Sequence, residues 1–113
     1  MLTRATILAA LTQLSAELAR SGVLGELNVV GGTAMVLAFN ARTSTKDVDA
    51  IFEPSSEVRA AAAVVAVNLA LPVDWLNDAA KGFLSASGDF APIASLDFPN
   101  LRVQAPRPNI CWP

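Results

Sequence analysis

The stretch VVGGTAMVLAFNARTSTKDVDAIFEP, residues 29–54, limits the fold more than any other part of this chain. A short apolar run ends at two consecutive glycines, Gly31 and Gly32. A segment of helix formers follows. Two aspartates one residue apart, Asp47 and Asp49, then lead into a second apolar run. That order predicts a strand, a tight turn, a helix and another strand. Glycines at the turn accept positive φ and let another group come close to the backbone. In the second strand, side chains alternate between faces. Asp47, Asp49 and Ile51 therefore fall on one face, and Val48, Ala50 and Phe52 on the other.

The rest of the chain must fit around that unit within 113 residues, the size of one small domain. The hydrophobic fraction is 53%, enough for a core, though much of it is alanine. The longest uncharged run, Ala60 to Val73, contains Asn68 and Pro72 and is too short to cross a bilayer. The opening MLTRATILAALTQLSAELAR resembles a signal peptide in hydropathy. Gln13, Glu17 and Arg20 interrupt it, however, and its apolar residues recur at helical spacing. It reads as a core-facing helix of a cytoplasmic protein. One cysteine, Cys111, allows no internal disulfide framework. The chain has no histidine, which excludes the usual zinc sites, His-based triads and His general bases. Acid–base or metal chemistry must use Asp, Glu, Lys or Arg. The net charge of −2 argues against a nucleic-acid-binding surface over the whole chain, though Arg42 and Lys46 lie close to the aspartates.

Thr3 is placed to cap a first helix, roughly Arg4 to Ser21, with Ile7, Leu8, Leu11, Leu14 and Leu18 on one face and Gly22 as its stop. GELNVV, residues 25–30, reads as the first strand. TAMVLAFN is a helix with Met35, Val36 and Phe39 to one side. KDVDAIFEP is the second strand, ended by Pro54. Ser55 or Ser56 caps a long helix to about Leu69, with an apolar stripe of Val58, Ala62, Val65 and Leu69, closed by Pro72. VDWLNDAAKGF reads as a short helix. IASLDF and LRVQA read as two further strands joined at Pro99–Asn100. This pattern gives an α+β domain with a small mixed sheet flanked by helices, spanning residues 1–105. Residues 106–113, rich in proline, form an irregular tail.

Two carboxylates at i and i+2 repel, and each resists ionising beside the other. A hard divalent ion reverses that, because it takes converging carboxylates together with substrate phosphates. Taken alone, Asp47 and Asp49 read as solvent-facing polar residues on a half-buried strand. Likewise Gly31–Gly32 reads as a tight turn or as a phosphate cradle, with bare N–H groups at a helix start and the Thr33 hydroxyl beside them. The two motifs in this order favour the functional alternative. No Gly-Lys-Ser/Thr follows the glycines, so this is not a Walker loop, and the third glycine of a dinucleotide fingerprint is missing. Arg42 and Lys46 are either solvated or poised to neutralise a triphosphate. Asp74, Trp75 and Asp78 lie in DWLND, where Trp75 reads as packing.

Together with LPVDWLNDAAKGF, the 29–54 stretch resembles bacterial nucleotidyltransferase-fold proteins of the DNA polymerase beta superfamily. More narrowly, it is similar to the small group related to AbiEii-type toxins of toxin–antitoxin systems. The resemblance covers roughly residues 5 to 105. It implies that Gly31 and Gly32, with Thr33, contact the triphosphate of an NTP such as ATP, and that Asp47 and Asp49 bind Mg²⁺. The Arg-x-Ser/Thr-x-x-Asp spacing of the toxin-like group matches Arg42, Ser44 and Asp47, which with Lys46 completes the expected nucleotide contacts. Fourteen residues, 33–46, separate Gly32 from Asp47, a little more than the superfamily norm. The third carboxylate of the superfamily is not assigned. Gln104 occupies one place where it would fall, and Asp97 is a candidate. Relatives continue past LRVQAP into further helices, whereas this chain ends in RPNICWP, as a truncated or frame-shifted product would.

The activity implied is Mg²⁺-dependent transfer of an NMP from an NTP to a hydroxyl of an RNA such as tRNA, of a protein or of a small molecule. One ion orients the triphosphate and the other activates the acceptor hydroxyl. A cognate antitoxin and self-association are further expected partners, and no membrane is. The alternative is a catalytically inactive module or remnant that keeps the fold.

Overall fold

The computed structural model describes residues 1–39, 43–78, 90–93 and 96–106. Its first long element, α1 (Arg4–Arg20), begins where the sequence places it. Thr3 Oγ1 accepts a hydrogen bond from the Thr6 N–H at 3.2 Å, satisfying one of the free donors of the first turn. Ile7, Leu11, Leu14 and Leu18 are fully buried and form the stripe expected from their spacing. The helix ends in a Schellman motif. Val23 N–H reaches Leu18 O at 2.9 Å, Gly22 N–H reaches Ala19 O at 3.0 Å, and Gly22 has φ of 69°.

Thr3 also lies in β1 (Leu2–Thr3), which pairs antiparallel with β3 (Ser44–Thr45) as a small ribbon separate from the main sheet. The main sheet has five strands among the described residues. They are β2 (Gly25–Val29), β4 (Val48–Glu53), β5 (Leu76–Asp78), β6 (Phe90–Pro92) and β7 (Leu101–Pro106). Their order is β5-β4-β2-β7-β6. β2 runs antiparallel to β4 and parallel to β7; β4 and β5 are parallel, and β6 and β7 antiparallel. With α2 (Gly31–Leu37) and α3 (Ser55–Leu69), this is an α+β fold with a mixed sheet, as composition and periodicity imply.

The core lies between the sheet and the pair α1 and α3. Gly25 marks its tightest point: a Cβ there would stand 2.7 Å from Leu18 Cδ1 and 3.4 Å from both Leu101 Cδ1 and Val58 Cγ2. A larger residue here would force the Leu18 side chain to move, so glycine lets β2 approach both helices without repacking. Val58, Ala61, Ala62, Val65 and Ala66 supply the buried face of α3. Trp75 is 1% exposed, and its indole N–H donates to Ala62 O at 2.9 Å. It is a packing residue, with its one polar atom satisfied. No helix among the described residues is long and apolar enough to cross a membrane.

Several elements depart from the sequence reading. Helix α2 takes in both glycines and stops at Leu37 rather than Asn40. Arg4 Nη1 donates to the carbonyls of Val36 (3.2 Å) and Leu37 (2.9 Å), two of the acceptors that a helix leaves open at its end. Thr33, Ala34, Val36 and Leu37 are buried, whereas Met35 and Phe39 are half-buried. Helix α3 starts at Ser55 after Pro54, with no side-chain cap, so neither Ser55 nor Ser56 plays that part. It closes at Ala70, two residues before Pro72.

Leu76–Asp78 forms a strand, not a helix. It supplies ladder partners for the free edge of β4, and Val48 N–H is taken by Trp75 O at 2.7 Å. A central strand needs its second edge covered, and that demand outweighs the helix propensity of the local residues. The strand expected over residues 93–98 is displaced to Phe90–Pro92, and Phe98 makes only an isolated bridge with Leu101. Pro106, assigned to the tail, is the last residue of β7. Residues 107–113, including Cys111, lie outside the described residues.

Candidate active site

Two elements position the site: the turn that leaves β2 and the first half of β4. Val29 pairs with Ala50, and Val30 N–H continues the ladder by donating to Asp49 O at 2.9 Å. The chain must then reverse into α2 directly beside Asp49. Gly31 makes that reversal with φ of 59°, a conformation that costs other residues ~1–2 kcal/mol. A Cβ at Gly31 would lie 3.6 Å from Asp49 Oδ2. The Asp49 carboxylate therefore faces the bare bend. Gly31 is exposed and Gly32 half-buried.

Asp47 precedes β4 by one residue, and the strand begins at Val48 rather than at Lys46. The faces nevertheless divide as the alternation demands. Val48, Ala50 and Phe52 are buried, whereas Asp47, Asp49 and Ile51 are half-buried on the other side. Burial pushes the Asp47 carboxyl above its ordinary value, and the Asp49 charge and a carboxyl–carboxyl hydrogen bond with Asp49 add to that. Asp74 contributes further repulsion, and Lys46 partly opposes it. The two carboxyl groups thus act on one another across one side of the strand.

Thr33 has a different place from the one its sequence position suggests. It is 0% exposed, and its hydroxyl donates to Asp47 O at 3.2 Å while accepting from Asp49 N–H at 2.9 Å. Thr45 Oγ1 donates to the same Asp47 oxygen at 3.3 Å. The Thr33 hydroxyl is used up inside the fold, so it clips α2 to the 47–49 backbone instead of facing a ligand. Its effect on the site is to fix where the two aspartates stand.

Of the other residues singled out, Lys46 is exposed beside Asp47, and Arg42 lies outside the described residues. Gln104, on β7, pairs with Asn28 of β2 and Pro92 of β6, two strands away from β4. Asp97 lines a hollow of about 300 Å³ with Leu24 and Arg102 on the β7 side. Neither stands with the aspartate pair. Among the described residues no group of three acidic side chains is close enough to share one cation. Asp78 pairs with Arg59 at 3.3 Å.

Asn77 was not legible as a site residue. It sits opposite Asp49 in the β4–β5 register, and its Nδ2 donates to Asp49 Oδ1 at 3.0 Å. Reading residues 76–78 as helix hides this, because only strand pairing brings Asn77 and Asp49 to one face. No local signal in DWLND reveals it, because the pairing is set by β4.

The donors present suit a hard cation. Asp49 offers Oδ2 toward the bend, and Asp47 offers a carboxyl raised by burial and by the Asp49 charge, the second of which a divalent cation would offset. Comparison with protein-family models, with curated proteins and with solved structures gives no match, so the reading of this site rests on its own geometry and chemistry.

Proposed function

We propose that the chain is a Mg²⁺-dependent nucleotidyltransferase of the nucleotidyltransferase fold, acting on an NTP and an acceptor hydroxyl of an RNA, a protein or a small molecule. The observation that supports it above all others is the convergence of Asp47 and Asp49 on one side of β4, with Asp49 Oδ2 turned to the Gly31 bend. Toxin–antitoxin membership is part of the same proposal and comes from the sequence resemblance alone.

Asp47 and Asp49 would hold the cation. When bound, magnesium supplies charge neutralisation at the phosphates and at the attacking oxygen. Gly31 lets a phosphate approach the backbone with no Cβ in the way. Lys46 adds a mobile positive charge beside Asp47. Thr33 and Thr45 keep the 47–49 backbone fixed, which matters because positioning and charge stabilisation provide most of the rate in such transfers. In the reaction a bond forms between the acceptor oxygen and the α-phosphorus. The bond from that phosphorus to the bridging oxygen breaks, pyrophosphate leaves and the hydroxyl proton passes to solvent.

Replacing Asp49 with Asn tests the reading, with incorporation from each NTP as the measurement. Loss of incorporation by two or more orders of magnitude in a folded variant is expected; unchanged incorporation refutes the mechanism. A second reading, a module that binds nucleotide without turnover, is favoured by Asn77, an amide directly across from Asp49. Calorimetry with ATP and Mg²⁺ separates the two, since the module would bind without transferring.

A further inference from the structure

We infer that Asn77 is a positioning residue of the cation site: its amide holds Asp49 so that Oδ2 alone stays turned to the Gly31 bend. This rests on reading Asp47 and Asp49 as a divalent-cation pair. Three observations carry it. Asn77 lies directly opposite Asp49 in a parallel register, so both side chains project from the same face of neighbouring strands. Asn77 Nδ2 donates to Asp49 Oδ1 at 3.0 Å. The other oxygen of that carboxylate is the one 3.6 Å from the Cβ position at Gly31.

A carboxylate accepts at both oxygens and can rotate about its Cβ–Cγ bond unless one oxygen is engaged. Asn77 engages Oδ1, and the backbone beneath is fixed independently, because Asp49 N–H is held by Thr33 and Asp49 O by Val30 N–H. The side chain thus has one remaining oxygen, with a fixed direction. Groups that orient a metal-binding carboxylate in this way act on affinity through the ligand.

An amide at this place gives Asp49 Oδ1 a donor at 3.0 Å. An apolar group there removes the donor and leaves the Asp49 carboxylate free to turn.

Mn²⁺, which takes the same oxygen ligands, is the probe. Its binding is measured by the free-ion electron paramagnetic resonance signal, with no nucleotide present. Wild type is compared with Asn77→Leu and Asn77→Ala, and with Asp49→Asn as the control that assigns the signal to this pair. Both changes at residue 77 remove the donor to Oδ1 and are expected to weaken binding about tenfold. Wild-type affinity in either folded variant overturns the inference and leaves the aspartate pair standing. If Asn77→Leu fails to fold, as read by circular dichroism, Asn77→Ala at this exposed position decides alone. Absence of Mn²⁺ binding by wild type overturns the cation reading itself and this inference with it.

Discussion

The two long helices end in the same hydrogen-bond motif with different residues at its left-handed position, and that difference can be measured. At the end of α1 the position is Gly22, with φ of 69°. At the end of α3 it is Ala70, with φ of 54° and ψ of 43°. Leu71 N–H reaches Ala66 O at 2.9 Å and Ala70 N–H reaches Val67 O at 3.4 Å, as Val23 and Gly22 do for Leu18 and Ala19. An L-residue in this region costs ~1–2 kcal/mol, whereas glycine carries an extra unfolded-state entropy of ~0.4–1 kcal/mol. The balance predicts that Ala70→Gly stabilises by about 1 kcal/mol and that Gly22→Ala destabilises by about the same. Packing adds little to either. Ala70 is exposed, and a Cβ at Gly22 meets nothing within 4 Å. The two motifs share no hydrogen-bond partner, so the double variant should return to within ~0.5 kcal/mol of wild type. Urea unfolding with unchanged slope is the assay, and a chain of this length should shift in Tm by about 4 °C per change. A lower midpoint for Ala70→Gly would refute the reasoning, as would a neutral Gly22→Ala.

The site yields two more expected outcomes. The raised Asp47 carboxyl means that the folded chain binds its proton more tightly than the unfolded chain does. Stability therefore falls as pH rises from the ordinary carboxylate value of 3.8 through the raised value, and the loss is complete above it. Asp47→Asn should be more stable than wild type at about pH 7 without divalent cation and indistinguishable from it near about pH 3, by thermal melts across that range. Saturating Mg²⁺ should reverse the order at about pH 7, because only wild type gains from binding. Thr33→Val keeps the shape of a fully buried side chain but strips the acceptor from Asp49 N–H, which should cost ~1–3 kcal/mol in urea unfolding. A cost below ~0.5 kcal/mol would mean that the clip does not hold that backbone.

The elements that the sequence makes readable are those governed by local chemistry. The Thr3 side chain can reach only the first turn of the helix it opens, Ile7 to Leu18 repeat at helical spacing, and Val48 to Phe52 alternate, so α1 and β4 are visible without partners. The elements that stay hidden depend on a distant strand. Leu76–Asp78 is a strand because β4 has an edge to cover, and nothing within DWLND states that. Arg4 ends α2 from thirty-three residues away. The same division runs through the site. Asp47, Asp49 and Gly31 stand out in one dimension. Asn77 emerges only from register, and Thr33, placed by its neighbours in a phosphate cradle, turns inward because α2 packs against β4.

The arrangement of Asp47 and Asp49 runs against the stability of the empty fold. Two neighbouring carboxylates can lower their energy by rotating apart, and their backbone can bend to help. Here the backbone is held, and one oxygen of Asp49 is engaged. The Thr33 hydroxyl holds Asp49 N–H and reaches Asp47 O, Thr45 reaches that same oxygen, and Asn77 fixes one Asp49 oxygen from the neighbouring strand. Local conflict of this kind collects where a fold serves a ligand, since the ligand's charge repays what the empty site loses. The reversal of Asp47→Asn by Mg²⁺ measures that repayment directly. Equal stabilisation of wild type and variant by the cation would show the restraint to have no such purpose.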